Sequence, residues 1–120
     1  MKEKKINREI VESARVFGQW LNQVAYNYAR KEIGQSSKNR AEKIQQFKAR
    51  VIKQIEHDTN NARTPQEMIY RTYMRINNAS YEDVPARAAK FLDAVNSGDE
   101  ISFTEARQML IMYMRMRNDN

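Results

Sequence analysis

Six apolar residues near the start of the chain decide most of what it can fold into. Ile10, Ala14, Phe17, Leu21, Val24 and Tyr28 recur at spacings of 4, 3, 4, 3 and 4, the period that lines one face of an α-helix. Asn7 stands where a side-chain oxygen can cap a first turn, and Gly34 where a positive φ ends a helix without a steric penalty. The pattern predicts one long helix from about residue 7 to 33. Residues 1–6 precede the cap and are expected to be flexible.

The remainder carries the same period. Only 3 Gly and 2 Pro occur in 120 residues, and no Asn-Gly or Asp-Gly pair offers a hairpin turn. Ser36 and Ser37 restart the chain, and Ile44, Phe47, Val51 and Ile55 mark the buried face of a second helix that Asp58-Thr59-Asn60-Asn61 ends. Thr64-Pro65-Gln66-Glu67 combines a threonine cap, a proline at the first helical position and a glutamate three residues on. It opens a short third helix reaching about Asn77. A fourth is expected from Ser80 or Asp83, with Pro85 in its first turn, to Asn96-Ser97-Gly98. Ser102-Phe103-Thr104-Glu105 is a further capping box and opens the last. The expectation is an all-α, compact bundle of about five helices in a single domain spanning residues 1–120.

Composition removes whole classes of chemistry. There is no cysteine, so there is no disulfide, thiolate metal site or thiol nucleophile, and the single histidine excludes multi-histidine metal sites. The acid pairs Glu82-Asp83 and Asp99-Glu100 lie at or before expected helix starts, where the helix dipole accounts for them. No run approaches the roughly 18 apolar residues of a membrane span, and the first residues lead into no signal-peptide core. A cytoplasmic protein with no cofactor, no metal and no catalytic residue is expected.

The charge is concentrated. Residues 30–53 hold eight basic groups (Arg30, Lys31, Lys38, Arg40, Lys43, Lys48, Arg50 and Lys53) against Glu32 and Glu42, a net of +6. The chain as a whole is also +6, so the remaining residues balance out. On a helical projection Lys43, Gln46, Arg50, Lys53 and His57 form one stripe opposite Ile44, Val51 and Ile55. Cations one turn apart recur every ~5 Å along the axis, close to the phosphate spacing of a nucleic-acid strand. Lys38 and Arg40 lie at the helix entrance, and Ser36, Ser37 and the first N–H groups offer room for one more phosphate. The same stripe is also what the solvated face of an amphipathic helix looks like.

Two other helices carry candidate contacts. On the first, Arg8, Arg15, Gln19, Asn22, Tyr26 and Arg30 lie opposite the core stripe. Tyr26 is an aromatic on the expected wet face, suited to stacking on bases or to a protein interface. On the last, Phe103, Ala106, Leu110 and Tyr113 form one apolar face while Met109, Met112 and Met116 form a second, framed by Arg107, Arg115 and Arg117. A second face of methionines serves either core filling or a subunit interface.

Two family resemblances bear on these residues. Arg50 and His57, with six residues between them, resemble the Arg-x(4–6)-His motif of HEPN ribonucleases, although Val51 stands where that family usually has a polar group. The order of features also resembles the small α-helical subunit of CRISPR effector complexes, particularly of type III. It is carried by Ser36, Ser37 and Arg40 at the start of a basic helix, by Tyr70 and Arg75 on a later one, and by the aromatic-rich last helix from Phe103 to Tyr113. That resemblance implies a non-catalytic subunit that stacks in a filament and lines the guide–target duplex. The leading expectation is a non-enzymatic protein binding RNA or DNA, RNA before DNA, through phosphates within a larger assembly. Lys38, Arg40, Lys43, Arg50, Lys53, Tyr26 and Arg30 are its expected contacts, and Met109, Met112 and Met116 its interface with other subunits or a second copy. The alternative is a small inhibitor or adaptor that docks on protein through the Met face and the basic stripe.

Overall fold

A computed structural model describes residues 7–35, 38–73 and 84–116. Among the described residues there are five α-helices and no strand: α1 (Arg8–Ile33), α2 (Arg40–Asn60), α3 (Pro65–Tyr73), α4 (Ala89–Ser97), preceded by a 3-10 turn (Ala86–Ala88), and α5 (Phe103–Arg115). The expectations for residues 1–6, for Ser36, Ser37, Arg75 and Arg117, and for the helix boundaries at Asn77 and Ser80 or Asp83 lie outside the described residues.

The caps explain the boundaries. Asn7 accepts from the Glu9 N–H at 2.8 Å, and Gly34 closes α1 at φ 79°. Glu67 N–H donates to Thr64 Oγ1 at 3.0 Å, while the Glu67 carboxylate reaches back to Arg63 N–H at 3.1 Å. Ser102 and Glu105 form a reciprocal capping box. Two starts and one end differ from the sequence pattern. α2 begins at Arg40 because Asn39 adopts the left-handed conformation (φ 57°, ψ 39°), which asparagine tolerates better than most residues. It continues through Asn60 because Asp58 and Thr59 face the interior, Thr59 donating to Ile55 O at 2.7 Å. Pro85 stands ahead of the 3-10 turn with ψ 137°, so it caps that turn and is not inside α4.

One core cluster draws on all five helices and is centred on α1. Phe17 is fully buried, stacked on Trp20 at 5.9 Å and tilted against Phe91 at 6.0 Å. α1 packs against α2, α4 and α5, which takes up more of its circumference than a single apolar stripe. Small residues make this possible. A Cβ added at Gly18 would lie 2.6 Å from Tyr113 Cβ and 3.0 Å from Met114 N, so glycine lets α5 cross α1 in near backbone contact. Ser13 is buried and joins α1 to α4, donating to Arg87 O at 2.8 Å and accepting from Phe91 N–H at 2.9 Å. In α5 the residues facing inward are Ala106, Leu110 and Met114, with Phe103, Met109 and Tyr113 packed at the margin. Arg107 is bound into the fold, stacked 4.5 Å over Phe103 and donating to Ala62 O at 2.8 Å.

Candidate nucleic-acid interface

α2 presents its basic stripe to solvent. Lys43, Gln46, Arg50, Lys53 and His57 are all exposed, while Ile44 and Ile55 on the opposite face are buried. The stripe is partly preorganised. The Arg50 guanidinium lies 5.3 Å over the Phe47 ring, which meets Tyr28 of α1 edge-on at 5.7 Å. A cation held on an aromatic face keeps its charge and loses conformational freedom before any ligand arrives.

The ion pairs sharpen the contrast between this face and the rest. Glu12 pairs with Arg15 and with Arg87 of the 3-10 turn, Glu9 with Lys90, Glu67 with Arg71 and Glu56 with Arg115. Hydrogen bonding from Arg15 and Lys90 holds the Glu12 and Glu9 carboxyls below their ordinary value. These cations are consumed by the fold. Arg50 and Lys53 meet no carboxylate among the described residues. Glu42 lies in the first turn of α2, within 3.4 Å of Gln46 Nε2, where the helix dipole favours a negative charge.

Other expected contacts are placed differently. Arg40 is half-buried and donates its Nε to Gly34 O at 2.7 Å, tying the start of α2 to the end of α1. Tyr26 is half-buried, and Arg30 covers its ring at 5.7 Å, so the two form a unit in place of a bare aromatic. Arg15 bonds to Glu12 and Gln19, and Asn22 donates to Met114 O at 2.6 Å. Much of the expected wet face of α1 is therefore spent on α5 and on local pairs. Lys38 is exposed at the α1–α2 turn. Arg50 and His57 are not brought together: they lie two turns apart, ~10 Å along the axis, and Phe47 holds Arg50 toward the opposite end of the helix. His57 is exposed next to Asn61, whose Nδ2 donates to His57 O at 2.7 Å.

Beside the stripe runs a groove of about 400 Å³ that sequence reasoning missed. It lies between α1, α2 and α5, with Gln45, Lys48 and Lys53 among its lining residues. Lys53 belongs to both the groove and the stripe. The signal available beforehand was Gln45-x-x-Lys48, one turn apart next to the apolar face. On the far side of α5, Met112 and Met116 are 49% and 48% exposed while Met109 packs on the core. Of the three methionines, only Met109 fills the core.

The sequence matches the CRISPR-associated protein Csp2 family over residues 1–117. The chain belongs to that family. The assignment agrees with the CRISPR resemblance carried by the basic helix and the aromatic-rich last helix. No curated protein and no solved structure matches the chain. Among the described residues no helix is long and apolar enough to cross a membrane, and no three acidic or histidine side chains converge on a metal position.

Proposed function

We propose that this Csp2-family chain is a non-enzymatic subunit of a CRISPR effector complex and holds a nucleic-acid strand through its phosphates along α2. The observation that carries the reading is the contrast in charge pairing. Five cations elsewhere, Arg15, Arg71, Arg87, Lys90 and Arg115, are paired with carboxylates, while Arg50 and Lys53 stand exposed one turn apart without one among the described residues, in line with Lys43. RNA is the expected polymer, because a CRISPR effector carries a guide strand and contacts it through backbone geometry. Phosphate contacts position a strand without reading its sequence, so binding is expected to be strong at low salt and indifferent to base order. The protein would work in the cytoplasm, where such complexes meet their targets.

A contact to a neighbouring subunit is favoured by Met112 of α5 and Met116 just after it, two large apolar side chains left half in water. Photo-crosslinking of 4-thiouridine RNA to the purified protein, read by peptide mass spectrometry, tests the main reading. Adducts on the α2 peptides carrying Lys43 to Lys53 are expected. Adducts confined to α3 or α4 would overturn it, and the absence of any adduct would leave the protein-docking adaptor as the better account.

A further inference from the structure

We infer that the groove beside the basic stripe takes one unpaired nucleotide, so that the protein prefers a single strand over a duplex. The inference rests on the phosphate-binding reading and adds to it a place for the base. A volume of about 400 Å³ lies at the small end of the range for sites that hold small organic groups, roughly 300–1,000 Å³. It accommodates one nucleotide, not a run of them.

The lining supplies the kinds of group that a nucleotide binds. Ala49 and Ile52 supply apolar surface on α2, and Met114 lines the groove from α5 with its own side chain fully buried. Gln45 supplies an amide, which matches the hydrogen-bonding edge of a base, and Asn22 adds its carbonyl oxygen, its Nδ2 being bound to Met114 O. Lys48 and Lys53 supply positive charge, and Lys53 continues directly into the stripe that tracks the backbone. The one acid in the groove, Glu56, is neutralised by Arg115, which it binds through both carboxylate oxygens. A strand laid along Arg50 and Lys53 therefore has a neighbouring recess into which a base can turn. Bases locked in a duplex cannot turn aside without the cost of unpairing, a few kcal/mol.

The test compares a 12-nucleotide oligouridine with an abasic strand of the same length and charge, by fluorescence anisotropy at fixed salt. The wild-type chain is expected to bind the intact strand about tenfold more tightly, the scale set by one buried base. Ala49→Leu fills the groove from an exposed helical position without touching the core. It is expected to erase the difference while leaving the salt dependence unchanged. Equal binding of both strands by the wild-type chain overturns the groove and leaves the phosphate reading standing. A preference that survives in Ala49→Leu places the base elsewhere and also overturns it. Failure to bind either strand overturns the phosphate reading and the groove with it. Circular dichroism of the variant verifies that its fold is intact.

Discussion

Replacing Gly18 by alanine probes the closest helix crossing in the molecule. In an isolated helix this change stabilises by about 1 kcal/mol, since glycine is the poorer helix former. Here the added Cβ would meet Tyr113 Cβ at 2.6 Å, with Met114 N and Tyr113 C both at 3.0 Å. These are backbone and near-backbone atoms, so no side-chain rotation relieves them. α5 must move away by about 1 Å to restore ordinary carbon–carbon contact near 3.5–4 Å. That shift loosens the packing of Leu110 and Met114, both fully buried, and stretches the 2.6 Å bond from Asn22 to Met114 O. Overpacking of a tight core costs roughly 1–3 kcal/mol, and a weakened hydrogen bond about 1 kcal/mol more. Set against the helix gain, the net is a loss of about 1–3 kcal/mol. Urea unfolding at constant m-value reads it directly, and thermal unfolding should show a fall of roughly 4–12 °C. Gly34→Ala is the informative companion: nothing lies within 4 Å of its added Cβ, but φ is 79° and ψ 171°, so its cost of roughly 1–3 kcal/mol comes from backbone conformation alone. An unchanged or raised stability for Gly18→Ala would refute the near-contact crossing of α1 and α5.

Ser13→Ala strands the part-buried Arg87 carbonyl and the buried Phe91 N–H that one hydroxyl now satisfies. It is expected to cost about 1–3 kcal/mol in urea unfolding, and a loss under a few tenths would contradict that double role. Glu12→Gln tests the tie between α1 and the 3-10 turn. The folded carboxyl is held below 4.5, first by its hydrogen bond from Arg15 and then by the charges of Arg15 and Arg87. A lowered folded value means that this stabilisation is present above the unfolded value and disappears as pH falls through the folded one. The wild-type chain should exceed Glu12→Gln in stability at neutral pH and converge with it well below pH 4.5. A gap that persists in acid would show that shape, not charge, sets the difference.

The helices were legible wherever local chemistry decides them. The spacing from Ile10 to Tyr28, the Asn7 cap and Gly34 gave α1 within a residue, and the capping boxes at Thr64 and Ser102 placed α3 and α5. Periodicity failed where tertiary contacts override it. Ser13 and Gly18 are poor helix-stripe residues by type, yet both face the interior because α4 and α5 come close there. An isolated glycine inside a strong helical pattern is the sign of such an approach. Asp58 and Thr59 read as a stop but are buried within α2. For the interface, the stripe on α2 followed from spacing alone, whereas its pairing state did not. Which cations are spent on Glu9, Glu12, Glu56 and Glu67 depends on partners as far apart in sequence as Glu9 and Lys90. The groove was hidden for the same reason, since Asn22, Lys48 and Met114 come from three helices.

The central claim is that α2 holds a nucleic-acid strand through exposed cations, and the salt dependence of binding tests it most directly. Affinity for a 12-nucleotide RNA is measured by anisotropy across a salt series, for the wild-type chain and for Lys43→Ala, Arg50→Ala, Lys53→Ala combined. Each phosphate contact contributes about 0.7 to the slope of log affinity against log salt for a single strand. Removing three should make the slope shallower by about 2 and weaken binding at every salt concentration tested. A triple variant that binds with the wild-type slope and affinity would contradict the account, because the strand would then be held somewhere other than α2.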